Sequence, residues 1–306
     1  QYLGLEEGGI YDFNFFYVER HTSEANLGIK TNIRVYDASA VPQKNAYLGD
    51  TKIPYNGLVA AGSTINYEFV LSNTGDTKIT DLTFVDDKLG VNLSSTNITL
   101  NNLTDINDIT VYIGNDKDGY KSQSVTVDQL KEILKNGIVN GQTIKIKGFK
   151  YKLSNENNVT VKNIVNYTAK SGDKNLSGNR DNVVVTVASS DKAFVLDYGK
   201  PVTYEYSKVF SNVTGATQEI KLVDGQGKYG TMTNDTSNKL IKYTLNKFMA
   251  GIDRFTFNEY ITSKDEDNKE FTTTLQTNVK MIPATTIYYE DNFGVKGNEN
   301  ADAGIV

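Results

Sequence analysis

The sequence predicts an all-β protein built from tandem β-sandwiches, with one short inserted helix at about residues 126–136. Short runs of Val, Ile, Tyr, Phe and Thr recur between turn residues roughly every eight to twelve positions, which is the spacing of sandwich strands. The chain has 306 residues, whereas one sandwich needs about 100. Two sandwiches and part of a third are therefore expected, each with its own core.

The composition excludes several kinds of chemistry. The chain has no Cys, no Trp and a single His, and its formal net charge is −5. Disulfides, cysteine metal sites and thiol catalysis are therefore excluded. Basic residues alternate with acids and hydroxyls instead of forming a block, so we expect no nucleic-acid partner. No run of eighteen apolar residues occurs, which predicts no direct membrane insertion in this segment. Because Gln1–Gly4 lacks a signal-peptide pattern, we expect targeting and anchoring parts to lie outside the chain.

Residues 49–190 are predicted to form one sandwich. Ile65, Tyr67, Phe69 and Leu71 alternate, a turn follows at residues 72–76, and Leu82 and Phe84 begin a strand. This pattern predicts a hairpin with one buried face.

The inserted helix and a bulge are predicted in the second half of this sandwich. Thr126 and Gln129 fit a capping box, Leu130, Ile133 and Leu134 share a helical face, and Gly137 fits a left-handed stop. After the helix, Ile144 and Ile146 alternate in one phase, whereas Phe149, Tyr151 and Leu153 alternate in the other. A β-bulge at Gly148 would turn both sets inward.

The flanking segments complete the predicted domain organisation. Residues 1–48 contain two strand candidates that must either complete a domain beginning upstream or be covered by the next domain, since two strands cannot bury a stable core. Residues 191–285 contain strand candidates at about 204–210, 218–223, 240–244, 254–260 and 272–281. Residues 286–306 end in a stretch rich in Gly, Asn and Asp, which predicts a linker to a further module.

Three partial resemblances agree with this organisation. The aromatic run Phe13–Val18 leading into Glu19-Arg20-His21, with Ile29-Lys30-Thr31-Asn32 after it, resembles the closing strands of a fibro-slime domain, a lectin-like β-sandwich. The strand ending in Asn73-Thr74-Gly75-Asp76 and the following strand ending in Asp86-Asp87 resemble the conserved repeat domain of bacterial surface proteins. The helix at Val127–Lys135 is not part of that repeat's pattern, and we interpret it as an insertion.

The third segment resembles bacterial Ig-like, cadherin-like modules. The matching features are Asp197–Val202, Tyr229-Gly230-Thr231, Gly251–Phe257 and Ile282–Asp291. Together the resemblances imply a modular, non-enzymatic stalk or adhesin of a Gram-positive, clostridial-type bacterium, located outside the cell. The partner would then be an extracellular glycan or another surface protein. As an alternative, one module is a carbohydrate-binding part of an adhesin or of a polysaccharide-degrading enzyme.

Two clusters are candidate binding sites. Glu19 and His21 share a strand face beside Arg20 and could hold a metal ion or a sugar hydroxyl; a hydrogen-bonded polar strand end is the alternative. Asn115, Asp116 and Asp118, followed by Gly119, offer oxygen ligands for Ca²⁺, the single cofactor candidate. A solvated turn is the alternative there, because the twelfth-position Glu of an EF-hand loop is missing. No catalytic residue is predicted.

Asp86, Asp87 and Lys88 raise a further hypothesis. Surface proteins of this kind sometimes carry Lys-to-Asn isopeptide crosslinks promoted by a buried acid. An exposed carboxylate beside a lysine is the alternative. Spacing in the sequence does not decide whether a Lys and an Asn meet in an apolar site.

Overall fold

The computed structural model describes residues 37–290, except 198–199, 212, 248 and 266, together with 296–301; for 285–290 and 296–301 it describes the backbone alone. Most of this part of the chain is β-strand, which confirms the all-β class. The strands are β1 (Ala40–Leu48), β2 (Thr51–Ile53), β3 (Gly57–Ala60), β4 (Thr64–Asn73), β5 (Thr80–Asp86), β6 (Val91–Leu93), β7 (Ile98–Thr99), β8 (Thr110–Asn115), β9 (Gly119–Ser124), β10 (Thr143–Lys152), β11 (Thr160–Ser171), β12 (Lys174–Val187), β13 (Lys192–Leu196), β14 (Val202–Glu205), β15 (Thr217–Leu222), β16 (Gly230–Asp235), β17 (Leu240–Leu245), β18 (Asp253–Lys264), β19 (Glu270–Pro283), β20 (Thr285–Glu290) and β21 (Lys296–Ala301). The helices are α1 (Val127–Asn136) and α2 (Tyr206–Val209), with a 3₁₀ turn at Ile106–Asp108.

Two six-stranded sheets form the first sandwich. Sheet 1 has the order β2-β1-β4-β10-β8-β9, and sheet 2 has the order β3-β12-β11-β5-β6-β7. Strand β1 thus begins ahead of the predicted domain boundary at residue 49. Phe69 of sheet 1 stacks on Phe149 of the same sheet at 4.3 Å and on Phe84 of sheet 2 at 6.1 Å, between ring centroids. These rings form the centre of the core.

The predicted hairpin of β4 and β5 is wrong, because the two strands lie in different sheets. Asn73 directs the chain across: its amide donates to the carbonyls of Thr77 and Ile138, and its Oδ1 accepts from the Gly75 N–H. A bridge between Ile79 and Ile138 then leads into β5. Alternation of apolar residues predicted a buried face for each strand correctly, but two strands that face one core from opposite sheets show the same alternation.

Helix α1 confirms the inserted helix. The Thr126 hydroxyl accepts from the Gln129 N–H at 3.2 Å, and the Gln129 side chain accepts from the Thr126 N–H at 2.9 Å, which is the predicted capping box. Leu130 and Leu134 are buried, and the helix contacts β5.

The bulge at Gly148 is supported by the burial of both strand phases. Ile144, Ile146 and Phe149 are all fully buried, and Gly148 has a φ of 121°. An added Cβ there would lie 2.2 Å from the Asp108 carbonyl oxygen. Close approach of the backbone therefore requires glycine at this position.

A second pair of sheets follows. Sheet 3 has the order β13-β19-β18-β15, and sheet 4 has the order β14-β17-β16. Their core residues are Leu196, Val209, Phe210, Ile220, Tyr229, Met232, Ile241, Tyr243, Met249, Phe255, Phe257, Val279 and Met281. The predicted strand at 204–210 is wrong beyond Glu205, because α2 begins at Tyr206. This turn buries Val209 and Phe210 in the core of the second pair of sheets.

Strands β18 and β19 form an antiparallel hairpin, paired from Asp253↔Met281 to Lys264↔Glu270. A smaller apolar cluster joins Ile261 and Leu275 of this hairpin to Leu58 of β3 and Val187 of β12. The Thr273 hydroxyl donates to the Leu58 carbonyl at 2.7 Å in the same place. Backbones of β20 and β21 pair antiparallel within the segment predicted as a linker.

Gly137→Ala is expected to destabilise the protein by at least about 2 kcal/mol. Gly137 has a φ of 65°, and an added Cβ would lie 1.8 Å from the Ile79 carbonyl oxygen. Gly141→Ala is the matched control, since Gly141 has a φ of 73° but no atom within 4 Å of the added Cβ, and its cost should be about 1 kcal/mol. Urea unfolding measures both. Equal losses would contradict the steric explanation.

Candidate functional site: a buried lysine and aspartate

Lys44 points into the core of the first sandwich. It lies on β1, and its side chain is 0% exposed. Lysine is almost never fully buried unless it is paired. Its partner is Asp86 at the end of β5, whose side chain is also 0% exposed and whose Oδ2 accepts a hydrogen bond from the Lys44 Nζ. The pair therefore joins sheet 1 to sheet 2.

Asp86 is held by a second hydrogen bond. Its Oδ1 accepts from the Leu89 N–H at 3.0 Å, in the turn that leads to β6. Asp87 and Lys88 in this turn are exposed. Of these three positions, Asp86 alone could therefore be the buried acid that promotes a Lys-to-Asn isopeptide crosslink.

Aromatic rings surround the Lys44 amine. Its Nζ lies 4.9 Å from the centre of the Tyr67 ring and 5.3 Å from that of the Phe69 ring. Both aromatic residues are fully buried. The rings stabilise a cation electrostatically and exclude water from the pair.

Burial lowers the pKa of Lys44 to about 8. The attraction and the hydrogen bond of Asp86 raise this pKa but do not offset the loss of hydration, and the positive charge of Lys88 lowers it slightly. The lowered pKa makes the neutral amine of Lys44 more accessible than that of an exposed lysine. A neutral lysine amine is a nucleophile.

Asn163 is a third polar residue in this core. It lies on β11 and is 0% exposed, and neither its Nδ2 nor its Oδ1 has a hydrogen-bond partner among the described residues. The β11–β5 ladder pairs Tyr167 with Phe84 and Asn166 with Val85. If this ladder is continued by one residue pair, Val165 lies directly opposite Asp86. Asn163 lies two residues further on the same inward face, and so it is the diagonal neighbour of Asp86.

Sequence reasoning identified Asp86 but missed Lys44 and Asn163. A signal existed for Asn163, because the buried phase of its strand reads Val161, Asn163, Val165, Tyr167. A polar residue in an apolar phase indicates a buried polar group. The indication for Lys44 was weaker, because β1 has few large apolar residues that would show which side chains of the strand point inward.

The predicted binding residues Glu19, Arg20 and His21 lie outside the described residues. Asn115, Asp116 and Asp118 occupy the β8–β9 hairpin turn. Asn115 Oδ1 accepts from the N–H groups of Lys117 and Asp118, at 2.9 and 2.7 Å, and its amide donates to Asp118. Within the described part of the chain, no group of three or more His, Asp or Glu residues could hold a metal ion. The Ca²⁺ site stays a prediction.

A groove of about 450 Å³ adjoins this hairpin. Its lining includes Tyr120, Asn115, Asp118, Gln123 and Gln142. Lys145 places its Nζ 3.6 Å from the centre of the Tyr120 ring, and the Tyr120 hydroxyl donates to Asp116 at 3.1 Å. This is the kind of shallow, polar and aromatic surface on which a sugar could bind.

Asp253 organises the second pair of sheets. Its buried carboxylate accepts hydrogen bonds from the N–H groups of Lys228, Tyr229 and Gly230, and from the Tyr243 hydroxyl at 2.7 Å. Burial, followed by this hydrogen bond, raises the pKa of Tyr243 well above its ordinary value. Asp253 therefore serves to fix a loop, since all its contacts are structural.

Glu259 is a second buried acid in this region. It is 0% exposed; Gln218 donates to its Oε1, and its Oε2 has no partner among the described residues. Burial raises the pKa of Glu259, and hydrogen bonds from Gln218 and Ser211 partly oppose this rise. A carboxyl whose pKa is higher in the folded state stabilises the fold in acid, and that stabilisation is lost as the pH rises through the folded-state pKa.

Glu259→Gln is expected to gain stability relative to the parent protein between about pH 4 and pH 7, because the amide does not ionise. Urea unfolding at both pH values measures the difference. Glu219→Gln is the control, since Glu219 is exposed beside Lys221 on the same sheet and should show little pH-dependent difference. A Glu259→Gln difference that stays constant with pH would contradict this account.

No protein-family model matches the chain. Protein psiH of Dictyostelium discoideum is 53% identical over 34 residues, which are 11% of this chain and 5% of that protein. Protein psiP of the same organism is 58% identical over 36 residues, 12% of this chain and 5% of that protein. The chain thus spans about a twentieth of the length of these relatives, and these short matches assign no family.

Several solved structures show a limited likeness. The major pilin subunit BcpA of Bacillus cereus has a TM-score of 0.31 and 11% identity, covering 80% of this chain and 70% of that one. The C-terminal domain of the Streptococcus pyogenes antigen I/II-family protein AspA has a TM-score of 0.29 and 9% identity, covering 77% and 98%. A family 123 glycoside hydrolase from Clostridium perfringens has a TM-score of 0.21 and 11% identity, covering 51% and 31%. With TM-scores below 0.5, none of these carries an argument about function.

Proposed function

We propose that this chain is a non-enzymatic, load-bearing segment of a bacterial surface protein, located outside the cell. The observation that carries the proposal is the pairing of β13 with β19. These strands are the first and last of sheets 3 and 4, and they run parallel, from Lys192↔Val279 to Leu196↔Pro283. The chain therefore enters this region at one end of the ladder and leaves at the other.

This arrangement determines how the region resists tension. A pull on the two chain ends draws β13 and β19 in opposite directions along their own axes. All hydrogen bonds of the ladder then share the load, whereas an antiparallel end pair would open one bond at a time. Both ends of the ladder are reinforced: Asp191 Oδ1 accepts from the Asn278 N–H at 3.2 Å, and Ala284 N–H donates to the Leu196 carbonyl at 3.0 Å.

Other features agree with a structural role. The core of each sandwich is well supplied with buried aromatic and aliphatic residues, and the buried acids Asp253 and Glu259 have structural hydrogen bonds. The two described α-helices have ten and four residues, and neither is long enough to cross a bilayer. The partner is proposed to be another surface protein or an extracellular glycan.

Phe194→Pro is expected to lower the force at which this region unfolds when the protein is stretched between its ends. The Ala284–Leu196 bond implies that residues 196 and 194 donate to β19, and that the N–H of Val195 faces the open sheet edge. Proline at 194 thus removes a ladder bond. Single-molecule stretching measures the force, and introduced cysteines give unique attachment points because the chain has none.

Two controls isolate the ladder bond. Phe194→Ala removes the contact of this ring with Tyr204, whose centroid lies 3.9 Å away, but keeps the N–H. Val195→Pro introduces proline at the neighbouring edge position and should leave the force close to that of the parent protein. If Phe194→Pro and Phe194→Ala unfold at the same force, the ladder does not carry the load and the proposal fails.

Carbohydrate binding is a second candidate, favoured by the groove beside Tyr120. Tyr120→Ala should abolish binding on a glycan array if a sugar stacks in this groove, because the ring supplies its largest apolar surface. Tyr55→Ala is the control, since Tyr55 is 48% exposed and does not line the groove. An array with no bound glycan for the parent protein would eliminate this candidate.

A further inference from the structure

Lys44, Asp86 and Asn163 form a cluster that the load-bearing proposal does not use. Three polar side chains, two of them charged, lie fully buried in one apolar core. A buried ion pair is costly unless its geometry is excellent, and a buried amide without hydrogen bonds is also costly. Such a group in a native core indicates a role other than packing.

We propose that Lys44 and Asn163 become joined by an intramolecular isopeptide bond, with Asp86 carrying the proton between them. The inference follows from the core of the first sandwich and is independent of the load-bearing role. Its readout is a covalent bond, so its failure is distinguishable from a failure of the stretching experiment.

The placement of the three residues suits this reaction. Lys44 Nζ already touches Asp86 Oδ2. Asn163 is the diagonal neighbour of Asp86 on the adjacent strand, and such neighbours have Cα atoms about 7–8 Å apart, within reach of a long side chain. The lysine side chain enters from the opposite sheet and ends at Asp86. Asn163 Cγ is thus the carbonyl carbon that the amine can approach once Asn163 changes rotamer.

The atoms and electrons of this reaction balance without any added reagent. The neutral Nζ of Lys44 attacks Cγ of Asn163, and an N–C bond forms. Asp86 accepts a proton from Nζ and donates it to Nδ2. The Cγ–Nδ2 bond then breaks, and ammonia leaves with that proton. An amine and a primary amide have become a secondary amide and ammonia, and nothing is oxidised or reduced.

The surroundings favour each step. Burial makes a neutral amine available at neutral pH, as the pKa of about 8 indicates. Tyr67 and Phe69 exclude water, which would otherwise compete with the amine for Cγ. Asp86 is held by the Leu89 N–H, which keeps its other oxygen directed at Lys44. After the reaction, the charge on Lys44 and the primary amide of Asn163 no longer exist. Asp86 keeps the proton that the Lys44 ammonium gave up on becoming neutral, so no unpaired charge stays in the core.

Asn163 is a better acceptor than its neighbours. Asn166 faces outward and is exposed. Asn182, on β12, is buried and lacks a partner for Oδ1 alone, whereas Asn163 lacks partners for both atoms of its amide. An amide free of hydrogen bonds can rotate toward the amine without losing any.

The test is peptide mapping of the folded protein by mass spectrometry. The intact mass under denaturing conditions should fall short of the sequence mass by roughly 17 Da, the mass of one ammonia. Cyclisation of an N-terminal Gln1 and succinimide formation at Asn-Gly sequences also remove ammonia. The mass deficit alone is therefore not proof of the crosslink, and detection of the joined peptide is the decisive result. Trypsin should not cleave after Lys44, and residues 35–52 should appear joined to residues 163–170.

Variants assign the roles. Lys44→Arg, Asn163→Ala and Asp86→Asn should each lack the joined peptide, and Lys88→Arg and Asn166→Ala should retain it in full. Circular dichroism establishes whether each variant is folded; if Asp86→Asn does not fold, the peptide map of the parent protein still decides the bond itself. A parent protein without the joined peptide overturns the proposal. Residues 35–52 joined to 181–192 would overturn Asn163 as the acceptor, and a folded Asp86→Asn that still crosslinks would overturn Asp86 as the proton carrier.

Discussion

The first sandwich depends on keeping one lysine and one aspartate together in a core from which water is excluded. Neither side chain of the Lys44–Asp86 pair has any exposed area, and each lies on a different sheet. Loss of either partner would leave a buried charge unpaired, which typically costs about 3–5 kcal/mol. The pair therefore fixes which residues of the two sheets face each other. The stacked rings of Phe69, Phe84 and Phe149 pack within that frame.

Local rules predicted the local features of this chain. The capping box at Thr126 and the buried helix face each depend on a few neighbouring residues, and each is present. The burial of Ile146 and Phe149 on either side of Gly148 agrees with the predicted bulge. The pairing of β4 with β5 could not be predicted, because alternation shows that a strand has a buried face but not which sheet it joins. Similarly, the change from strand to helix at Tyr206 depends on core space that Val209 and Phe210 fill.

The candidate site shows the same limit. Asp86 was identified from its position at a strand end, whereas Lys44 and Asn163 lie 42 residues before it and on the far side of the helix, respectively. Their meeting depends on the order of strands in two sheets. The short segments Tyr229–Thr231 and Gly251–Phe257 likewise meet through space: Asp253 accepts hydrogen bonds from Tyr229 and Gly230.

The distance along the chain between Lys44 and Asn163 determines how far the protein can lengthen. About 120 residues separate them, and a fully extended chain of that size would span roughly 400 Å. A covalent link closes this loop, so that even complete unfolding of the sandwich would release only the residues outside it. An appendage made of such segments would keep nearly constant reach under strain and would recover its shape quickly, because the closed loop has fewer unfolded conformations to search.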